Sequence, residues 1–328
     1  ADKMKKRAFM INGLIMGAVF IPLTIIAPNA FLLCLFLMLG MCGNALFHPQ
    51  VTSLVKTFCY NNPNVSKFMG LFMGLGTIGY SIGPVISSNL VDKFGQNGLS
   101  YITFIGILTA IILYFEVPKI PIEAVSKSKE GFVSVMKEIL KNKVCMKLVW
   151  IAIVKSGVSI SFGTYIPFIL KDFGFSLNKV GLVVTLFFAL SGLSMIVSNK
   201  LEEKIGAVNI IRLSFFTILP LVILFHYLMK ISPILGVLTF IISGFFIFLS
   251  VSVTIVAAQK IMSNHTGVIS GVMQGFSWGI GALSLAPLGF IGEKFGIIWI
   301  LIIMATLALL TGIFGLDKAT KAALTDKC

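Results

Sequence analysis

The stretch GLFMGLGTIGYSIGP, from Gly70 to Pro84, contains five glycines, one proline and no charged side chain in fifteen residues. It lies within an apolar segment, residues 67–91, that is long enough to cross a hydrocarbon core of about 30 Å as a helix. Glycines allow a second helix to approach closely, and a proline removes a backbone donor and bends its helix. The stretch therefore predicts a tightly packed membrane helix with a hinge. The predicted hinge residues are Gly70, Gly79, Gly83 and Pro84.

The composition of the whole chain predicts an all-α integral membrane protein. Of its 328 residues, 57% are hydrophobic and 12% are charged, and the mean hydropathy is +1.00. A soluble domain with a wetted surface does not carry so much apolar residue. Ten segments can span a bilayer as helices: 8–27, 30–55, 67–91, 99–117, 146–170, 179–199, 207–228, 233–257, 267–291 and 297–316.

The positive charge follows the membrane topology. The formal net charge is +14, which by itself would also suit a nucleic-acid partner. If both termini are cytoplasmic, roughly 20 of the 26 Lys and Arg residues fall on the cytoplasmic side, as the positive-inside rule requires. Five fall outside: Lys93, Lys171, Lys179, Lys230 and Lys294. We therefore expect a multi-pass protein of a bacterial inner membrane, with the lipid bilayer and not nucleic acid as its partner.

An internal repeat predicts two pseudo-symmetric halves. At an offset of 201 residues, Asp92 to Gly95 aligns with Glu293 to Gly296, and Gly70 and Gly74 align with Gly271 and Gly275. Helices one to four then correspond to helices seven to ten, whereas helices five and six have no counterpart. The repeat predicts a twelve-helix fold of which ten helices are present, the first two lying before residue 1. We also expect a packing face at Gly271, Gly275 and Gly279.

The domain organisation follows from this repeat. We expect a first half at 1–117, a cytoplasmic linker at 118–145, a six-helix second half at 146–317 and a cytoplasmic tail at 318–328. Apolar residues recur at helical spacing within the linker from Phe132 to Leu140, which predicts a short amphipathic helix. It lies either on the inner membrane face or in solvent as a simple tether.

The cytoplasmic loops resemble those of a known family, the major facilitator superfamily. Residues 1–7 are similar to the tail of its loop signature, and the second copy begins at Glu203. Such acid–base pairs at helix ends can latch the cytoplasmic side in one state, although a solvated basic loop explains the bases alone. The candidate latch residues are Asp2, Lys3, Arg7, Glu203 and Lys204.

Two further motifs narrow the resemblance. The Gly70 to Pro84 spacing is similar to the signature of drug/proton antiporters in that superfamily, although ordinary packing would explain any single glycine. The run Phe47-His48-Pro49 resembles a motif of the fosmidomycin resistance protein group, in which an acid usually follows and here Gln50 stands. The resemblance implies a secondary transporter that exports a small, anionic molecule in exchange for protons.

His48 is the candidate proton-coupling residue. Imidazole titrates near pH 6.5, so a histidine that reaches an aqueous cavity can bind and release protons over the physiological range. A neutral histidine used for helix packing is the alternative. Two other histidines, His226 and His265, are expected to be solvated.

Lys155 is the strongest candidate for substrate binding. It lies roughly 14 Å along its helix from the membrane surface at 1.5 Å per residue, and a buried ammonium group is costly unless it is paired. None of the ten segments supplies a carboxylate near it, so we expect an anionic substrate or an acid on the missing helices. A lysine facing a water-filled crevice is the alternative. The other expected cavity residues are Ser159, Gln274 and Trp278.

The sequence contains no metal-ligand constellation, no phosphate-binding glycine loop and no nucleophile motif. We therefore expect a monomeric carrier of a small molecule and protons, with no enzyme activity, metal or cofactor. Two alternatives remain open. One is a proton-coupled importer of organic anions or sugars, and the other is a truncated membrane protein that does not transport.

Overall fold

The computed structural model of the chain describes residues 6–58, 65–117 and 132–325, and almost all of these residues are helical. The helices are α1 Lys6–Leu23, α2 Ala30–Phe58, α3 Val65–Phe94, α4 Ile102–Glu116, α5 Phe132–Lys141, α6 Lys143–Asp172, α7 Leu177–Ile205, α8 Ala207–Phe216, α9 Ile218–Ile231, α10 Pro233–Phe248, α11 Val251–Ile261, α12 Thr266–Gly271, α13 Ser277–Leu283, α14 Leu285–Phe295, α15 Ile297–Phe314 and α16 Lys318–Thr325. Short 3₁₀ turns lie at Thr24–Ile26, Gln96–Tyr101 and Ser263–His265, and a π-helical turn lies at Val272–Phe276.

The ten predicted membrane helices are confirmed. The stretches long and apolar enough to span a bilayer are Ala8–Ile26, Ala30–Thr52, Lys67–Phe94, Gln96–Glu116, Lys143–Asp172, Leu177–Ile205, Ala207–Ile231, Pro233–Ile261, Ser263–Phe295 and Ile297–Phe314. Several run a turn or more beyond the predicted ends. The reason is that a helix continues into polar residues such as Lys200 and Glu202, which hydropathy places outside the membrane.

Two helix ends support the internal repeat. Gly95 follows α3 with a φ of 67°, and its repeat equivalent Gly296 follows α14 with a φ of 101°. Both values lie in the left-handed region, which glycine adopts without the steric cost that other residues meet. The two copies therefore end their helices with the same local geometry.

The two halves meet where α3 packs against α7. A Cβ atom added at Gly70 would lie 2.7 Å from the carbonyl oxygen of Met195, and one added at Gly74 would lie 2.6 Å from that of Gly192. The predicted close packing is therefore confirmed at these two glycines. Within the described residues it is wrong for Gly79 and for Gly83, because a Cβ there would meet nothing within 4 Å.

The repeat-equivalent glycine face is open. A Cβ added at Gly271, Gly275 or Gly279 would meet nothing within 4 Å, so the predicted packing face has no neighbour within the described residues. Since Gly271 and Gly275 correspond to Gly70 and Gly74, the helix that would cover this face corresponds by the repeat to α7.

The predicted linker helix is present as α5, and it packs on the second half. Val135 and Ile139 are 2% and 1% exposed and belong to the same apolar core as α6. Near the end of the chain, Asp317 accepts a hydrogen bond from Lys147 of α6. This bond, together with the two that Asp317 accepts from Thr320, lowers the pKa of the Asp317 carboxyl and fixes the start of α16.

The glycine contact gives a matched pair of substitutions. We expect Gly74→Ala to destabilise the protein by about 1–3 kcal/mol, because its Cβ would overlap the α7 backbone. Gly79→Ala serves as the control, since its Cβ enters open space and alanine favours a helix. Thermal unfolding in detergent measures both. An equal change in melting temperature for the two variants would contradict the assigned contact.

Candidate functional site

A cavity of about 470 Å³ lies between the two halves. Its walls come from α3 of the first half and from α6, α7 and α13 of the second. The lining residues are Tyr80, Pro84, Ser87, Ser88, Val91, Ser159, Ile160, Gly163, Thr164, Pro167, Leu177, Val180, Gly181, Val184, Phe188 and Trp278. Most of these residues lie toward the end of α3 and toward the connection between α6 and α7, so the cavity occupies the part of the helices away from both chain ends.

The cavity wall is apolar with a few hydroxyl groups, a combination typical of small-molecule sites. Of the predicted substrate-binding residues, Ser159 and Trp278 line it, and so does Pro84 from the predicted hinge. The sequence analysis missed Tyr80 and Phe188, whose rings meet edge to face with centroids 5.0 Å apart. The signal for Tyr80 was its position inside the glycine signature.

Lys155 lies outside the cavity lining, in a cage of neutral groups. Its side chain is 5% exposed, and its ammonium group donates to the hydroxyls of Ser214 and Ser250, the latter at 2.6 Å. The Phe215 ring centroid lies 4.6 Å from the nitrogen, at the distance of a cation–π contact. No carboxylate forms a salt bridge with Lys155 in residues 6–58, 65–117 and 132–325. The lack of a nearby carboxylate agrees with the sequence, whereas these neutral partners were not predicted.

One helical turn connects Lys155 to the cavity. The Ser159 hydroxyl lines the cavity and donates to the backbone carbonyl of Lys155 at 2.9 Å. Ser214 in turn donates to the carbonyl of Phe246, just before α10 ends. The Lys155 amine therefore lies within the second half, one helical turn from the cavity lining. It is surrounded by α6, α8 and the junction of α10 with α11.

Gln274 and His48 lie on the side of the cavity that is nearer the chain ends, and Gln274 is about one helical turn from the cavity residue Trp278. The Gln274 amide donates to the Thr52 hydroxyl at 3.0 Å, and Thr52 donates to the His48 carbonyl at 2.8 Å. This hydrogen bond joins α2 of the first half to the π-helical turn of the second. The His48 ring is exposed and packs edge to face on Phe47, with centroids 5.5 Å apart. The halves are thus in contact on the side that carries the chain ends.

The candidate latch residues are only partly described. Asp2 and Lys3 lie outside the described residues, and of Arg7 the structure describes the helical backbone alone. Glu203 accepts a hydrogen bond from Asn199 of its own helix at 3.2 Å, and Lys204 is exposed. The latch therefore stays a prediction.

The prediction that His265 is solvated is wrong. Its side chain is 7% exposed, and its Nε2 atom lies 3.4 Å from a carboxylate oxygen of Glu138 on α5. Sequence reasoning missed this contact because the packing of the linker helix onto the second half joins residues that are far apart in the chain.

The chain matches one protein family and resembles individual transporters. A family model described as Major Facilitator Superfamily matches residues 1–286. The fosmidomycin resistance protein of Escherichia coli is 23% identical over 272 residues, which are 82% of this chain and 66% of that protein. An uncharacterized MFS-type transporter of Bacillus subtilis is 22% identical over 85% of this chain and 68% of its own length. The chain thus spans about two thirds of the length of these relatives.

Solved structures share the fold. The fucose:proton symporter of E. coli superposes with a TM-score of 0.68 at 12% identity, over 97% of this chain and 85% of that one. A bacterial homologue of the iron transporter ferroportin, in an outward-facing state, also gives 0.68, at 11% identity over 96% of this chain and 84% of its own.

The Thr52 to Gln274 hydrogen bond can be removed without changing side-chain shape. We expect Thr52→Val to shift the equilibrium about five-fold toward separated α2 and α12, because a net hydrogen bond contributes about 1 kcal/mol. Spin-label distances between α2 and α12 measure the shift. Thr306→Val is the matched control, since Thr306 bonds only within its own helix, to Ile302. If both variants keep the wild-type distance distribution, the bond does not hold the halves together.

Proposed function

The chain belongs to the Major Facilitator Superfamily, and we propose from this premise that it forms a secondary active transporter that exports a small molecule in exchange for protons. One observation carries the proposal. A cavity lies between the two halves in the part of the helices away from the chain ends, while α2 and the Gln274 turn are joined on the side of the cavity that is nearer the chain ends. A carrier that exposes its site to one side at a time needs this asymmetry.

The movement in this proposal is a rocking of the two halves about the α3 to α7 contact. The backbones approach at Gly70 and Gly74, where only the absence of side chains allows it. Toward Pro84 the same helices border the cavity. Breaking the bond between Thr52 and Gln274 and closing the walls around Tyr80 would move the opening to the opposite side.

The proposed substrate is a small molecule with an anionic group, like fosmidomycin. The likeness to the fosmidomycin resistance protein supports this class. Ser159 and Trp278 would contact the substrate in the cavity, and Lys155 would supply the attracting positive charge from one turn behind the wall. Gln274, now bonded to Thr52, would become free to bind substrate once the halves separate there.

His48 is the proposed proton-coupling residue. Its carbonyl accepts the hydrogen bond of Thr52, which is the residue that holds Gln274. A change of charge on the exposed imidazole would therefore act beside the contact between the halves. Gln50, which is buried on the same helix, cannot carry a proton. The positive-inside distribution supports a plasma-membrane location with cytoplasmic termini, and we propose a monomer.

Transport in membrane vesicles tests this function. Everted vesicles with an imposed proton gradient should accumulate labelled fosmidomycin, and we expect Trp278→Ala to lower the rate about ten-fold, which corresponds to about 1.4 kcal/mol of lost contact. Trp299→Ala is the matched control, because Trp299 is 50% exposed on α15 away from the cavity and Trp278 is 45% exposed. Accumulation in right-side-out vesicles but not in everted ones would indicate import and contradict the proposed direction. Equal rates in both variants would remove Trp278 from the site.

A further inference from the structure

A second groove lies on the outer surface of the second half, between α6 and α15. Its volume is about 560 Å³, and it is separate from the cavity between the halves. Met146 and Trp150 of α6 form one wall, and Leu307, Leu310 and Phe314 of α15 form the other. Both walls are mostly apolar.

The charges of the groove lie at one end. Lys143 and Lys147 line it there, and its lining contains no acidic residue among the described parts of the chain. Asp317 forms a salt bridge with Lys147 and offsets its positive charge. It also accepts two hydrogen bonds from Thr320. Lys143 is exposed, so the end of the groove keeps a net positive charge.

The length of the groove matches one lipid leaflet. Its α15 wall runs from Leu307 to Gly315, which at 1.5 Å per residue is about 12 Å. One leaflet contributes about half of a hydrocarbon core of about 30 Å. The charged end lies at the start of α6, on the side of the membrane that carries the linker helix and α16.

We propose that this groove binds one anionic phospholipid of the leaflet on the side of the chain ends. Lys143 holds the phosphate beside the Lys147–Asp317 ion pair, and an acyl chain lies along Leu307, Leu310 and Phe314. A zwitterionic lipid carries its own ammonium group beside the phosphate, so the positively charged end of the groove attracts it less. A free phosphate ion would leave the apolar wall uncovered. The bound lipid bridges α6, the helix that carries Lys155, to α15.

Native mass spectrometry of the protein, titrated with phosphatidylglycerol or phosphatidylcholine, tests the site. We expect one phosphatidylglycerol to bind in preference to phosphatidylcholine. Lys143→Gln should weaken phosphatidylglycerol binding about five-fold, which corresponds to the ~1 kcal/mol contributed by one lysine near a membrane surface. Lys171→Gln is the matched control, because Lys171 is exposed at the other end of the same helix.

A second variant tests the apolar wall. Leu310→Trp should weaken binding by filling the groove, with both lysines unchanged. Equal binding of the two lipids by the wild type, or equal effects of Lys143→Gln and Lys171→Gln, would overturn the proposal. Displacement of the lipid by inorganic phosphate would also overturn it, since the site would then recognise the anion alone.

Discussion

A single buried ammonium group constrains the second half of the molecule. Burying a charge within a membrane costs several kcal/mol, and the partners of the Lys155 amine among the described residues are two serine hydroxyls and the face of one aromatic ring. These partners come from α8 and from the junction of α10 and α11, so the charge ties three membrane spans together. None of these partners carries a negative charge, so the charge of the protonated amine would be available to an anion. An anion in the cavity one helical turn away would experience the field of that charge.

The packing of the two halves places a cavity one helical turn from Lys155. The first half reaches the second through α3 and α7, whose backbones come close at Gly70 and Gly74 and border the cavity farther along. Between the cavity and the side of the chain ends, Thr52 and Gln274 join the halves. The halves are thus joined on one side of the cavity, and this asymmetry is the basis of the proposed alternating access.

The sequence predicted features that depend on long apolar runs or on backbone approach. The ten spans follow from hydropathy, and the α3 to α7 contact follows from glycines whose spacing allows it. Contacts made by neutral side chains were not predictable, because Ser214 and Ser250 resemble the many other serines of this chain. The cavity residues Tyr80 and Phe188 were missed for a related reason. Helical periodicity identifies a face but not the helix that the face meets, and the burial of His265 depends on the same tertiary information.

Transport by a Lys155→Met variant tests the central claim most directly. Methionine keeps an unbranched side chain and removes the charge, so the account predicts that accumulation of an anionic substrate is lost while membrane insertion and monodispersity are retained. Lys155→Arg, which keeps the charge, should retain part of the transport. Wild-type rates in Lys155→Met would contradict the claim that this charge attracts the substrate.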